Sequence, residues 1–142
     1  MTTQHRSGAD RETTDVSRDL GTTSNREIRR LVGLLLADHG VVAEDAVLVV
    51  DELVSNARRH GTPPRRCRLL LHPGRRLRVE VEDSTSAHPR ARTPDHTGGR
   101  GLLLVERLTA QWGVLHHAFH KTVWAEIALD RKAAHLAVVP TA

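Results

Sequence analysis

The apolar residues in the first half of the chain recur at helical spacing. A first group follows the polar stretch "TTSN", whose hydroxyl and amide side chains are typical of a helix N-terminus. Its members are Ile28, Leu31, Val32, Leu35 and Leu36. They predict a first helix over residues 25–39 that ends at Gly40. A second helix is predicted over residues 43–60, and its apolar face consists of Ala46, Val47, Val50, Leu53, Val54 and Ala57.

The next part of the chain alternates between apolar and polar residues, as strands do. The runs "CRLLLH" and "LRVEVED", joined by "PGR", are typical of a β-hairpin. In the second run the apolar residues share one face and the charged ones the other, so Asp83 falls on the apolar face where the strand ends. A carboxylate buried there needs a hydrogen-bonding or charged partner.

The remaining segments complete an α+β arrangement. Residues 84–98 contain two prolines and no periodicity, which indicates a loop long enough to be a lid. "GRGLLLVERLTA" predicts a glycine turn that leads into a short helix, and "WGVLHH" with "KTVWAEIAL" predicts a second hairpin. Residues 1–22 predict a flexible tail or at most one edge strand, and residues 131–142 predict a second tail. The order of elements predicts one two-layer α/β sandwich domain over residues 23–130.

Length and composition narrow the class of protein. The 142 residues are enough for about one domain. No apolar run is long enough to span a membrane or to act as a signal peptide, so we expect a cytoplasmic protein without membrane contacts. Cys67 is the only cysteine, which excludes an internal disulfide and a cysteine-based zinc site. His116 and His117 have no further ligand at metal spacing, so a histidine metal site is not expected.

Positive charge is concentrated in one part of the chain. Eight arginines and no acidic residue lie between Arg58 and Arg78. This arginine block can attract phosphate or an acidic protein surface, or it can be a solvated strand face. Only 2% of the residues are aromatic and no DNA-reading helix is recognisable, so direct nucleic-acid binding is not expected.

Polar residues also form a line on the second predicted helix. Glu52, Asn56 and His60 recur every four residues. An asparagine amide with nucleotide phosphates and water can hold Mg²⁺, and a glutamate one turn away can orient or deprotonate an attacking hydroxyl. The alternative is the solvent-facing edge of an amphipathic helix. Asp83 is also open to two interpretations, because it can accept a hydrogen bond from the exocyclic amine of adenine or cap the loop "DSTS".

A glycine-rich turn precedes the third predicted helix, at Gly99, Arg100 and Gly101. Glycines at this place let backbone amides approach an anion, and the positive end of the helix dipole favours phosphate. The alternative is a turn without a ligand. The sequence matches neither the P-loop nor the Rossmann pattern.

Four motifs in this order resemble the GHKL (Bergerat-fold) ATP-binding superfamily, and within it the stand-alone anti-sigma factor serine/threonine kinase branch. They are "DELVSNARRHG", "VEVED", "GGRGLLLVERLTAQWGV" and "KTVWAEI", within residues 25–130. The resemblance implies a mixed, mostly antiparallel sheet with helices on one face, and ATP and Mg²⁺ as cofactors. The implied site residues are Glu52 as catalytic base, Asn56 as Mg²⁺ ligand, Asp83 on adenine, Thr122 near adenine, His60 and Gly61 closing the first motif, and Gly99, Arg100, Gly101 and Leu102 at the phosphate side of the lid.

The same resemblance implies a function in transcription regulation. Such a kinase transfers the γ-phosphate of ATP to a serine or threonine of a protein antagonist, the anti-anti-sigma factor, or sequesters a sigma factor, or does both. The family commonly has glycines two and four residues after its aspartate, where this chain has Thr85 and Ala87. A non-catalytic nucleotide-binding or partner-switching module is therefore the alternative. A homodimer stays open, and a histidine-kinase catalytic domain is not expected because about 24 residues precede the first helix.

Overall fold

A computed structural model describes residues 12–85 and 103–130 of the chain. Two helices and five strands are formed, and residues 103–108 are also helical. The elements are β1 (Thr14–Asp19), α1 (Asn25–Leu35), α2 (Val41–His60), β2 (Arg66–His72), β3 (Arg76–Asp83), β4 (Gln111–His116) and β5 (Lys121–Ala128). The predicted α+β class is confirmed. Within the described ranges, no helix combines the length and the apolar character that crossing a membrane requires.

The five strands form one sheet in the order β1-β2-β3-β5-β4. Every neighbouring pair is antiparallel, and both predicted hairpins, β2–β3 and β4–β5, are present. The sequence predicted a tail or at most one edge strand before residue 23, and β1 is such an edge strand. The ordered part of the fold therefore reaches back at least to Thr14.

The core lies between the helices and one face of the sheet. On β3 the residues alternate between half-buried and buried, and on α2 six residues of one face are buried. The buried α2 residues are Ala46, Val49, Val50, Leu53, Val54 and Ala57. Because aliphatic side chains fill this layer, α2 is fixed against β3, and its other residues are available for polar contacts.

The helix boundaries differ from the predicted ones by a few residues. Ser24 and Glu27 form a capping box at the start of α1, as the polar "TTSN" stretch indicated. The first helix ends at Leu35 instead of residue 39, because the amides of Ala37 and His39 bond to carbonyls three residues earlier and tighten the chain into turns. Gly40 has φ +53° and precedes α2, so it begins the second helix.

Most of the arginine block makes contacts within the fold. Arg68 pairs with Asp15 at 2.9 Å and with Glu80 at 3.5 Å. Arg78 pairs with Glu80 and Glu126 and lies over the ring of Trp124. These cross-strand contacts favour the interpretation of the block as a structural strand face.

Arg58 forms hydrogen bonds with the turn between β1 and α1 and with the first residue of α1. Its guanidinium donates to Asn25 Oδ1 at 2.6 Å and to the carbonyl oxygens of Leu20 at 2.8 Å and Thr23 at 2.7 Å. The contact is partly buried, and it joins the C-terminal half of α2 to the chain that enters α1. One side chain of the first motif therefore links the C-terminal half of α2 to the start of α1.

Replacement of Arg58 by methionine is expected to lower the free energy of unfolding by about 2 kcal/mol, because two carbonyls lose their partner. Urea denaturation measures the change. Arg29→Met is the matched control: the ion pair between Arg29 and Asp51 is exposed, with side-chain exposures of 44% and 37%, and should cost at most about 0.5 kcal/mol. Equal losses in the two variants would contradict the role assigned to Arg58.

Candidate functional site

A cleft of about 240 Å³ lies between α2 and the β3–β5–β4 side of the sheet. It brings together three predicted residues, Asn56 and His60 from the polar line on α2 and Asp83 from the end of β3. Its other lining residues are mostly apolar: Leu53, Ala57, Val81, Trp112, Val114, Lys121 and Val123. An apolar cleft with a few convergent polar groups is the usual form of a site for a small organic ligand.

Asp83 is buried at the inner end of this cleft. The alternation of β3 turns it toward the core, as predicted, and only 2% of the residue is exposed. Within the two described ranges it is the only buried polar or charged residue. Its Oδ1 accepts a hydrogen bond from the backbone amide of Thr85 at 2.8 Å. This bond is the predicted loop cap, and the other carboxylate oxygen, Oδ2, lies 3.7 Å from Lys121 Nζ.

Gly61 allows the close approach of α2 to Asp83. A Cβ atom at this position would lie 2.6 Å from both Cγ and Oδ2 of Asp83 and 2.7 Å from the carbonyl oxygen of Ala57. Gly61 has φ −96°, a conformation open to any residue, so the missing side chain is what the site requires. The guanidinium of Arg65 donates to the carbonyl oxygens of Ala57 and Gly61, which fixes this end of the helix.

Glu52 and Asn56 both face the guanidinium of Arg59. That group donates to Asn56 Oδ1 at 2.9 Å and lies 3.9 Å from Glu52 Oε2. The two predicted residues therefore present oxygen atoms to the same cation from successive turns of α2. Asn56 lines the cleft, and Glu52 lies one turn earlier in the helix.

The side-chain oxygen of Asn56 is of the type that Mg²⁺ takes as a ligand, so the predicted Mg²⁺ role of Asn56 is compatible with its place in the cleft. Mg²⁺ prefers oxygen ligands and is commonly held by one or two protein groups with phosphates and water. In the part of the chain that the structure describes, no cluster of three or more His, Cys, Asp or Glu residues could hold a metal ion by itself. Burial raises the pKa of the Cys67 thiol to about 12, so this residue stays protonated and is no thiolate ligand or nucleophile.

Thr122 is not among the residues that line the cleft, and its predicted place near adenine stays a prediction. In the β3–β5 register Thr122 is opposite Glu82, the neighbour of Asp83 whose side chain alternates to the other face of β3. Lys121 is the residue opposite Asp83, and it lines the cleft with Val123. Side chains alternate along a strand, so Lys121 and Val123 share the face that lines the cleft.

Of the charged and aromatic residues that line the cleft, Lys121 and Trp112 were not predicted from the sequence. The signal for Lys121 was present, because it is in phase with the apolar residues Val123, Ala125 and Ile127 of the same strand. Trp112 had no comparable signal, since β4 is an edge strand whose residues are half-buried or exposed.

The predicted phosphate-side residues Gly99, Arg100, Gly101 and Leu102 lie outside the described residues, as does most of the predicted lid. The first residues of that loop are described. The Ser84 amide donates to the carbonyl of Thr62 at 2.8 Å, and the Ser84 hydroxyl donates to the carbonyl of Pro64 at 3.0 Å. The loop therefore leaves Asp83 bonded to the segment that follows α2.

Comparisons with known proteins identify the family and the fold of the chain. The sequence model of the family described as "Histidine kinase-like ATPase domain" matches residues 20–126. The crystal structure of the RsbU and RsbW domains of Rv1364c from Mycobacterium tuberculosis is similar, with 21% identity and a TM-score of 0.59 over 82% of this chain. The histidine kinase domain from the Erythrobacter litoralis EL346 blue-light activated histidine kinase has 18% identity and a TM-score of 0.56 over 83% of this chain.

These likenesses concern the fold. The chain covers 32% of the first of these solved chains and 64% of the second. A comparison with curated proteins gave no match. The chemistry of the cleft therefore depends on the residues that line it in this chain.

Proposed function

The chain belongs to the histidine kinase-like ATPase domain family, and from this premise we propose that its cleft binds ATP for transfer of the γ-phosphate to a protein serine or threonine. The membership confirms the superfamily that the four sequence motifs predict. The observation that carries the proposal is the convergence of Asp83 with Asn56 and His60 in one apolar cleft. The proposed class is an anti-sigma factor kinase, with a sigma factor or an anti-anti-sigma factor as protein partner.

The base of the nucleotide would occupy the Asp83 end. Its exocyclic amine would donate to Asp83, whose carboxylate is fixed by the Thr85 amide. Aliphatic side chains of α2 and β3, with Trp112 of β4, would cover the ring. A directional bond inside an apolar site supplies selectivity, because a base without the amine donates no such hydrogen bond to the buried carboxylate.

The phosphates would extend toward the polar line on α2. Asn56 would hold Mg²⁺, which when bound screens the phosphate charge. Glu52 would accept the proton of the attacking hydroxyl, while that oxygen bonds to the γ-phosphorus, the bond to the β–γ bridging oxygen breaks and ADP leaves. Arg59 contacts the oxygens of both residues, so its guanidinium has to move before they can act in this way.

A partner-switching module without phosphotransfer is the second candidate. It is favoured by the loop after Asp83, which lacks the family glycines and is bonded through Ser84 to the segment after α2. In such a module the nucleotide would act only as a conformational ligand. Phosphotransfer to a protein antagonist separates the two candidates.

Calorimetric titration with ATP, with and without Mg²⁺, tests the proposed binding. We expect the chain to bind ATP, more tightly with Mg²⁺, and Asp83→Asn to weaken binding at least about tenfold, since a bond to a charged acceptor is lost. Asp51→Asn is the control, because Asp51 pairs with Arg29 at the surface and should leave the affinity unchanged. No ATP binding by the unaltered chain, or equal affinity in Asp83→Asn, would refute the proposal.

A further inference from the structure

Lys121 and Asp83 lie side by side at the inner end of the cleft. They are direct partners in the antiparallel β3–β5 register, and both line the cleft. The distance from Lys121 Nζ to Asp83 Oδ2 is 3.7 Å. The lysine side chain is 25% exposed and the aspartate side chain 3%, so the ammonium is the more accessible of the two charged groups.

The hydrogen-bonding capacity of this pair is not used up within the fold. The Thr85 amide donates to Asp83 Oδ1, whereas Oδ2 lies beyond hydrogen-bond distance of the ammonium. Lys121 carries three N–H donors, and none of them forms a hydrogen bond within residues 12–85 and 103–130. A base that enters the cleft therefore meets an acceptor, Oδ2, next to a donor, Nζ.

Apart from the proposed Mg²⁺ ligand, two other side chains with N–H donors line the cleft, and both are placed differently. His60 belongs to α2 and is exposed at the end of that helix. Trp112 is opposite Ala125, four residues further along β5 than Lys121. Lys121 is therefore the donor that the sheet register sets directly opposite Asp83.

Adenine presents the complementary pattern on one edge of its ring. Its exocyclic amine is a donor, and the neighbouring ring nitrogen N1 is an acceptor. When the amine donates to Asp83, the ammonium beside that carboxylate is the group that can donate to N1. Guanine presents the reverse pattern, with O6 as acceptor and N1–H as donor, so the same two groups oppose it.

We propose that Lys121 is a further specificity-determining residue of this site, which donates a hydrogen bond to N1 of adenine while Asp83 accepts from the amine. The inference rests on the proposed ATP binding and deepens it, because it assigns the second polar contact of the base to a residue of this chain that the motifs did not predict. A charged donor in a mostly apolar cleft makes this contact strong, and a base without an acceptor at N1 leaves the ammonium without its bond.

Calorimetric titration of the full chain with ATP and with 1-deaza-ATP, in the presence of Mg²⁺, tests this contact. The second nucleotide keeps the exocyclic amine and carries C–H in place of N1. The unaltered chain should bind 1-deaza-ATP at least about tenfold more weakly than ATP. Lys121→Met should weaken ATP binding at least about tenfold and change 1-deaza-ATP binding less than about threefold, since that nucleotide has no acceptor to lose. Arg29→Met removes a cation from an exposed ion pair, so it is the control and should change neither affinity.

A structural role of Lys121 gives a different result. If the lysine only holds Asp83 in place, Lys121→Met weakens the binding of ATP and 1-deaza-ATP by the same factor, and this result would overturn the inference. The comparison of the two nucleotides on the unaltered chain needs no variant, so it tests the inference even if Lys121→Met does not fold. Equal affinities of the unaltered chain for both would overturn the inference and leave the proposed function standing, whereas absence of all ATP binding would overturn both.

Discussion

Gly61→Ala is expected to abolish nucleotide binding and to lower the free energy of unfolding by about 2 kcal/mol. The new Cβ would lie 2.6 Å from the carboxyl group of Asp83 and 2.7 Å from the Ala57 carbonyl oxygen, and neither neighbour can move freely. The carbonyl belongs to the last turn of α2, and the carboxylate is bonded to the Thr85 amide. To relieve the overlap, the helix end and the strand end must separate, which opens the base site.

Gly33→Ala is the matched control for this substitution. A Cβ at Gly33 has no atom within 4 Å in the described structure, and the residue lies inside α1. Alanine in a helix interior is favoured over glycine, so this variant should gain about 0.5–1 kcal/mol. Urea denaturation gives both stabilities, and titration with ATP gives both affinities. A Gly61→Ala protein that is as stable as the unaltered chain and binds ATP equally well would contradict the close packing described for the cleft.

Glu52→Gln is expected to reduce phosphotransfer about 10²–10⁴-fold while ATP binding is retained. The amide keeps the size of the side chain and removes its ability to take a proton from the attacking hydroxyl. Glu52 does not line the part of the cleft that surrounds Asp83, so the base contacts are left intact. The measurement is the rate of γ-phosphate transfer to the antagonist protein, beside a titration with ATP.

Glu44→Gln is the control, because Glu44 is exposed in the first turn of the same helix and should leave the rate unchanged. Phosphotransfer at the normal rate in Glu52→Gln would remove Glu52 as the base. If the unaltered chain binds ATP and phosphorylates no antagonist, the partner-switching function takes the place of the kinase.

The parts of the fold that sequence periodicity predicts are those in which burial alternates strongly. The β3 residues alternate without interruption, so both the strand and the burial of Asp83 could be predicted. The polar line on α2 could be found in the same way, since Glu52 and Asn56 lie on the side of an otherwise apolar helix. β1 was harder to identify because its residues are mostly exposed, and its place in the sheet depends on backbone bonds to β2.

The details of the site that could not be predicted from the sequence depend on tertiary packing. Gly61 and Asp83 are 22 positions apart in the sequence, and only the packed structure shows that no Cβ fits between them. The assignment of Thr122 followed the family motif, whereas the alternation of β5 places Lys121 on the face that lines the cleft. A motif gives the neighbourhood of a functional residue, and the strand phase decides which residues share the face of the cleft.

The arginine block shows that the electrostatic character of a surface also cannot be predicted from a local run of charged residues. The sequence shows eight arginines without an acidic neighbour and left open a surface for an acidic partner. Several of their acidic partners come from other strands, as Arg68 with Asp15 and Arg78 with Glu126 illustrate. A local run of one charge therefore predicts little about the surface potential when the opposite charges lie across the sheet.

A crystal structure of the chain with Mg²⁺ and a non-hydrolysable ATP analogue tests the central claim most directly. The account predicts the base in the cleft between α2 and β3, with its exocyclic amine within hydrogen-bond distance of Asp83 and its phosphates on the Asn56 side. A nucleotide bound at another surface, or a base turned away from Asp83, would contradict it.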